Sequence, residues 1–272
     1  MATLLAPTHL AATPRRGAPW AWTVAGVLAG GLIAAALFAP ARWLAWGLAE
    51  ASQQRVQLLQ PQGTVWQGSA QLVLGADPTV VTALPGRLEW RLRPQWLGVA
   101  LRLHAPCCMT MPWDLTLNAS ANAVQLQTSD LDATQALRLP SALLAGLGTP
   151  WNTIQLQGTL ALQPQGLALQ WQQGTLALQG RLQIDALQMS TRLTPLQPVG
   201  SYRIELLGGD APTLALRTLD GALQLQGRGQ WQQGRLQFDG EARAAAGRED
   251  ALANLLNIIG RRDGARSIIH VG

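Results

Sequence analysis

Beyond Gly63 the chain keeps returning to one device, an apolar residue at every second position with Gln, Arg, Thr or Gly between. Leu88, Trp90 and Leu92 alternate with Arg87, Glu89, Arg91 and Arg93, and Leu101 and Leu103 alternate with Arg102 and His104. Leu115 and Leu117, then Val124 and Leu126, continue the series across a turn at 118–122. Ile154, Leu156, Leu160 and Leu162, then Leu167, Leu169 and Trp171, then Leu176, Leu178, Leu182 and Ile184 carry it through the second half. A period of two belongs to strands, whose successive side chains point to opposite faces, and a helix cannot sustain it. Each run therefore has one dry face and one wet face, the signature of antiparallel sheet.

Turn residues punctuate the strands. Gly63-Thr64-Val65-Trp66-Gln67-Gly68-Ser69-Ala70 reads as strand, turn, strand, with Gly68 in the turn. Leu169-Gln170-Trp171-Gln172-Gln173-Gly174-Thr175-Leu176 recurs as Gly229-Gln230-Trp231-Gln232-Gln233-Gly234-Arg235-Leu236, which predicts two similar hairpins. Tyr202, Ile204, Leu206, Leu214 and Leu216 supply further strands around a Gly208-Gly209-Asp210 loop. The least strand-like stretch is 129–149, where Pro140 to Leu147 fits a short helix closed by Gly148. A boundary placed there gives lobes 63–128 and 150–272. Near the end, Leu252, Leu255, Leu256 and Ile259 fall at helical spacing, behind Glu249 and Asp250 and before Gly260, and Ser267 to Val271 reads as a closing strand.

The N-terminal region has a different character. Trp20 to Ala39 is twenty residues without a charge, bracketed by Arg15 and Arg16 before it and Arg42 after it. At 1.5 Å per residue it makes about 30 Å of helix, the thickness of a bilayer's hydrocarbon. The positive-inside tendency puts the short tail 1–19 in the cytoplasm, a transmembrane helix over 20–41, and the remainder across the membrane. Leu44 to Leu59 contains no proline and is expected to prolong the helix into a juxtamembrane segment, 42–62, ahead of a β domain over 63–272. The competing reading is a cleaved signal peptide, for which Ala39-Pro40-Ala41 has the right small-residue spacing. Against it, the apolar run is longer than a signal core, and Trp20, Trp22, Trp43 and Trp46 cluster at its two ends as an aromatic belt does.

Composition narrows the function classes. Every basic residue is Arg, and beyond Ser52 there are 17 Arg against 14 acids, spread evenly, which argues against nucleic-acid binding despite a net charge of +5. Adjacent Cys107 and Cys108 form either a vicinal disulfide in an oxidising compartment or two packed thiols. The three histidines are scattered, and His104 with the cysteine pair is the one cluster a metal could use, too sparse to assign a site. No nucleophile elbow or phosphate-cradling loop is present, and Asp130 and Asp132 sit where turn residues sit. The reading is a protein with no catalytic residues and no cofactor.

What remains is a question of coverage. A leucine-rich sheet face must be covered by a second sheet, by helices or by something external, and only the segments near Leu143 and Leu255 offer helices. Either the sheet closes into a half-barrel or sandwich-like core, or it leaves a trough. A trough lined by Leu156, Leu160, Leu167, Leu169, Leu176 and Leu178 would take acyl chains or a partner's strand. Trp66, Trp171 and Trp231, beside the hairpin turns, are the candidates for partner contact, with aromatic caps on the core as the alternative.

Three segments are similar to those of a known family. The block at 63–70, Pro198-Val199-Gly200-Ser201-Tyr202-Arg203, and above all Ala251-Leu252-Ala253-Asn254-Leu255-Leu256-Asn257-Ile258-Ile259-Gly260-Arg261-Arg262 resemble the type II secretion system protein N family. The layout of short tail, single anchor and β-rich remainder resembles it too. That resemblance implies a bitopic inner-membrane protein of a Gram-negative bacterium, with its bulk in the periplasm, serving the machine that exports folded proteins through the outer membrane. It implies an accessory component whose partners are other subunits of that machine, and an elongated, curved sheet similar in pattern to envelope proteins of the AsmA kind.

Overall fold

The computed structural model describes residues 20–77, 80–148, 151–232 and 234–272, so the expected tail over 1–19 lies outside it. The chain divides into two compact units, the first ending at Ala39 and the second running from Pro40 to Gly272. In the first, α1 (Trp20–Leu37) is an 18-residue helix without a charge or a buried residue, long and apolar enough to cross a membrane. It stops short of Pro40, whose ring nitrogen has no hydrogen to donate.

The second unit opens with α2 (Ala41–Ala51) and is otherwise mainly β, with 54% of the chain in strands. Its first half holds β1 (Val56–Gly63), β2 (Gln67–Asp77), β3 (Val80–Ala83), β4 (Leu88–Gln95), β5 (Gly98–His104), β6 (Trp113–Ala119), β7 (Ala123–Thr128) and β8 (Leu137–Pro140). A 3-10 helix (Ser141–Leu147) and α3 (Trp151–Ile154) follow. The second half holds β9 (Gln157–Gln172), β10 (Thr175–Ser190), β11 (Gly200–Leu207), β12 (Thr213–Gly221), β13 (Leu223–Gln232), β14 (Arg235–Ala244), α4 (Glu249–Ile259), β15 (Arg261–Asp263) and β16 (Arg266–Val271). Among the described residues sixteen strands form one antiparallel sheet, in the order β1-β2-β4-β5-β6-β7-β9-β10-β11-β12-β13-β14-β16-β15, with β3 on β2 and β8 on β9. Its two ends, β1 and β15, do not pair, so the sheet is open.

Four local expectations give way. The helix expected over Leu44–Leu59 ends at Ala51, and 56–63 is β1, because Leu58 has a strand partner in Leu72 and a core to enter. Gly68 lies inside β2, opposite Gly63, and the turn falls at 64–66. A Cβ on Gly68 would meet the Gln62 carbonyl at 2.5 Å and the Trp90 ring at 2.6 Å, so glycine is needed for close approach rather than for turning. Ile154 ends the short helix α3 instead of starting a strand. The runs at 160–162 and 167–171 are a single strand, β9, that passes through Pro164. Pro164 is tolerated because its carbonyl, and hence its missing N–H, faces the gap between β8 and β7, where Leu131 N–H donates to that carbonyl at 3.0 Å.

Register places the alternating apolar residues of β4–β7 and β9–β12 on one face. Trp90↔Leu103, Leu101↔Leu115, Leu117↔Leu126, Leu126↔Leu169 and Leu169↔Leu178 link it from β4 to β10. Ile184↔Ile204 and Ile204↔Leu216 extend it to β12. Three stretches are covered. Over β1, β2 and β4, α2 packs Leu44, Ala45 and Leu48 against Leu58, Ala70 and Trp90. Leu143 of the 3-10 helix joins Leu84, Ala105 and Cys108. Over β10–β14, α4 packs Leu252, Leu255 and Leu256 against Ala186, Tyr202, Leu223 and Ala242. The opposite face is polar and carries cross-strand ion pairs, Arg102–Asp114, Arg203–Asp185 and Arg217–Glu205 among them.

Candidate interaction surface

Alternate connections of an antiparallel meander fall on the same rim, and here the two rims differ. One carries the long connections: the 105–112 loop with the cysteines, the 3-10 helix, α3, the 191–199 loop and α4. The other carries short hairpins, at β1–β2, β4–β5, β6–β7, β9–β10, β11–β12 and β13–β14. Trp66, Trp171 and Trp231 all belong to the hairpin rim. In β9–β10, Gln172 pairs with Thr175 and both loop residues, Gln173 and Gly174, have positive φ, the geometry of a two-residue hairpin turn. The sequence recurrence becomes a structural one, since Trp171 faces Leu176 across one hairpin and Trp231 faces Leu236 across the other.

The three tryptophans differ in exposure. Trp171 is 61% exposed, with Leu176 (60%) on one flank and Val124 (45%) on the other, both in direct cross-strand register. Leu117, also exposed, continues the patch toward β6. Trp231 is half-buried, and its backbone N–H donates to the Pro212 carbonyl at 2.9 Å. Trp66 is half-buried in the β1–β2 turn, where its carbonyl accepts from Leu92 N–H at 2.7 Å. Trp96 and Leu97, in the β4–β5 turn, were not singled out by the alternation, yet Trp96 is 98% exposed and belongs to the same rim. Its signal was a tryptophan in a Pro94-Gln95-Trp96-Leu97-Gly98 turn, where nothing could bury it. The uncovered strip of the apolar face thus ends on a tryptophan-bearing edge.

The supposed trough divides. Leu156 and Leu160 line an apolar cavity of about 270 Å³ beneath α4, together with Met189, Leu216, Leu255 and Ile259. Leu167, Leu169, Leu176 and Leu178 lie farther along β9 and β10 toward the hairpin rim and do not line it.

Cys107 and Cys108 are bonded to each other, Cys107 exposed and Cys108 packed beneath the 3-10 helix. Neither sulfur is therefore a thiolate that could join His104 in holding a metal. Among the described residues no three His, Cys, Asp or Glu side chains converge as a metal site. Asp132 accepts from Thr134 hydroxyl (2.6 Å) and from the Thr134 and Gln135 amides, bonds that hold its carboxyl below the usual range and occupy it in a turn. Asp130 accepts from Gly166 N–H.

The family model for the type II secretion system (T2SS), protein N, matches residues 54–269. No curated protein and no solved structure matches the chain.

Proposed function

The chain belongs to the type II secretion system protein N family, and from that premise we propose that it is a non-enzymatic accessory component of the secretion machine, held in the inner membrane by α1. Its N-terminus lies in the cytoplasm and its sheet domain in the periplasm, where a bonded cysteine pair fits the oxidising surroundings. The domain supports export of folded proteins through contacts with other subunits of the machine. The observation that carries this reading is the bare strip around Trp171, Leu176 and Val124, an apolar edge that no part of the described chain covers. Replacing the pair by W171S and L176S takes away the two most exposed side chains of the patch without touching the covered core. Secretion of a folded exoprotein should fall at least about tenfold, which is about 1.4 kcal/mol of lost contact energy, while the variant stays at normal level in the membrane fraction. Secretion at the wild-type rate would contradict the proposal.

A second reading, binding of an acyl chain or other apolar ligand, is favoured by the cavity beneath α4. Cavities of about 150 Å³ lined only by apolar side chains stay dry and take apolar molecules; this one is larger and mostly apolar, with Ser190, Thr191 and Tyr202 also in its lining. Native mass spectrometry of residues 40–272, a compact unit, distinguishes the two readings: co-purifying phospholipid supports this one, and an empty chain removes it.

A further inference from the structure

Helix α2 belongs to the sheet domain by one face and leaves the other bare. Ala41, Leu44, Ala45 and Leu48 pack against Leu58, Ala70 and Trp90, so the helix cannot roll about its axis. That packing turns Trp43 and Trp46 outward, 53% and 69% exposed and one helical turn apart, with exposed Arg42 beside them. Indole rings that find no core have a preferred place, the headgroup layer of a membrane, where the apolar ring is dehydrated and the N–H stays hydrogen-bonded. Chain length adds an independent constraint. Phe38, Ala39 and Pro40 alone separate Leu37, the last residue of α1, from Ala41, the first of α2. Four Cα steps reach at most about 14 Å, so α2 begins within or just beyond the headgroup layer of any bilayer that α1 crosses.

We propose that α2 is an interfacial helix, its outer face with Trp43 and Trp46 seated among phospholipid headgroups while its inner face holds β1, β2 and β4. The domain then has two attachments to the bilayer, a covalent tether and a clamp, and the clamp fixes which end of the sheet meets the lipid. The proposal rests on α1 spanning the membrane, and its test separates the two. Cys107 and Cys108, bonded to each other, do not take up a thiol label. The full chain is reconstituted in phospholipid nanodiscs with one nitroxide at a time, through V27C in α1, W46C in α2 or D210C in the exposed β11–β12 turn. Depth is read from collisions with oxygen, which partitions into hydrocarbon, and with a water-soluble nickel chelate. V27C should be in hydrocarbon, W46C at headgroup depth and D210C in water. W46C as nickel-accessible as D210C, with V27C in hydrocarbon, overturns the clamp and leaves the span standing. V27C in water overturns both.

Discussion

The Phe238 ring lies across three backbone positions that carry no side chain. A Cβ would meet that ring at 2.4 Å on Gly227, 2.8 Å on Gly240 and 3.1 Å on Gly229. Cross-strand glycines thus make the slot that lets a large ring lie flat on β13 and β14. We expect F238A to cost about 3 to 5 kcal/mol by leaving a cavity over three glycines, and G227A about 1 to 3 kcal/mol by overpacking, both read from urea unfolding. Tyr202 gives a sharper test because it is the only tyrosine. Its hydroxyl donates to the Leu223 carbonyl at 3.2 Å, and burial raises the phenol's pKa well above its ordinary value. The unfolded phenol ionises near pH 10. Below that pH the contribution to stability is complete; above it the unfolded chain releases a proton that the folded chain retains, and stability falls. Absorbance at the phenolate band should stay flat in the native protein through about pH 11 and rise near pH 10 in denaturant. Native titration near pH 10 would show the ring to be exposed. On the polar face, Asp185 is buried under a two-point grip by Arg203, at 2.6 and 2.8 Å. Removing the carboxylate strands the guanidinium, and D185A should cost about 2 to 4 kcal/mol in the same unfolding assay.

Among the elements, α4 covers the largest of the three buried clusters. Leu252 and Leu256 are fully buried and Leu255 nearly so, and Thr194 hydroxyl ties the helix to its neighbouring loop by donating to the Ala251 carbonyl at 2.7 Å. L256A should therefore cost about 2 to 5 kcal/mol, whereas an outward change such as I258S should cost less than about 0.5 kcal/mol. Equal effects would mean that the helix does not cap the sheet. Much of this element was legible beforehand: apolar spacing, acids in the first turn and a terminal glycine all lie within the twelve residues from Glu249 to Gly260. The strands were legible for the same reason, since a local period of two needs no knowledge of partners. What failed to show were features decided by distant residues. Gly68 looks like a turn residue until Trp90, on the next strand, is known to need its space. Pro164 looks like a strand break until β9 is seen to lack a strand neighbour on one side at that position, while β10 pairs with it on the other. The segment 56–59 has no strong local preference, and its pairing with 71–74 decides it.

At the scale of the whole domain, a single open sheet has more apolar face than its three short covers can hide. The covers sit over the two halves of the sheet and the strip between them stays bare, ending at the hairpin rim where Trp171 stands. The candidate tryptophans were legible as residues, but their gathering on one rim follows from strand parity, which only the full topology supplies. The alternation likewise could not tell a buried leucine from a bare one, because both faces of that choice have the same spelling. Whether this rim meets another subunit of the secretion machine decides the proposed function. A photo-crosslinking amino acid at position 171, compared with one at Arg217 on the polar face, measures that directly in intact cells. Adducts to another type II secretion subunit should form from 171, vanish when the remaining machine is deleted, and be weak from 217; no adduct from 171, or equal adducts from both positions, would contradict the account.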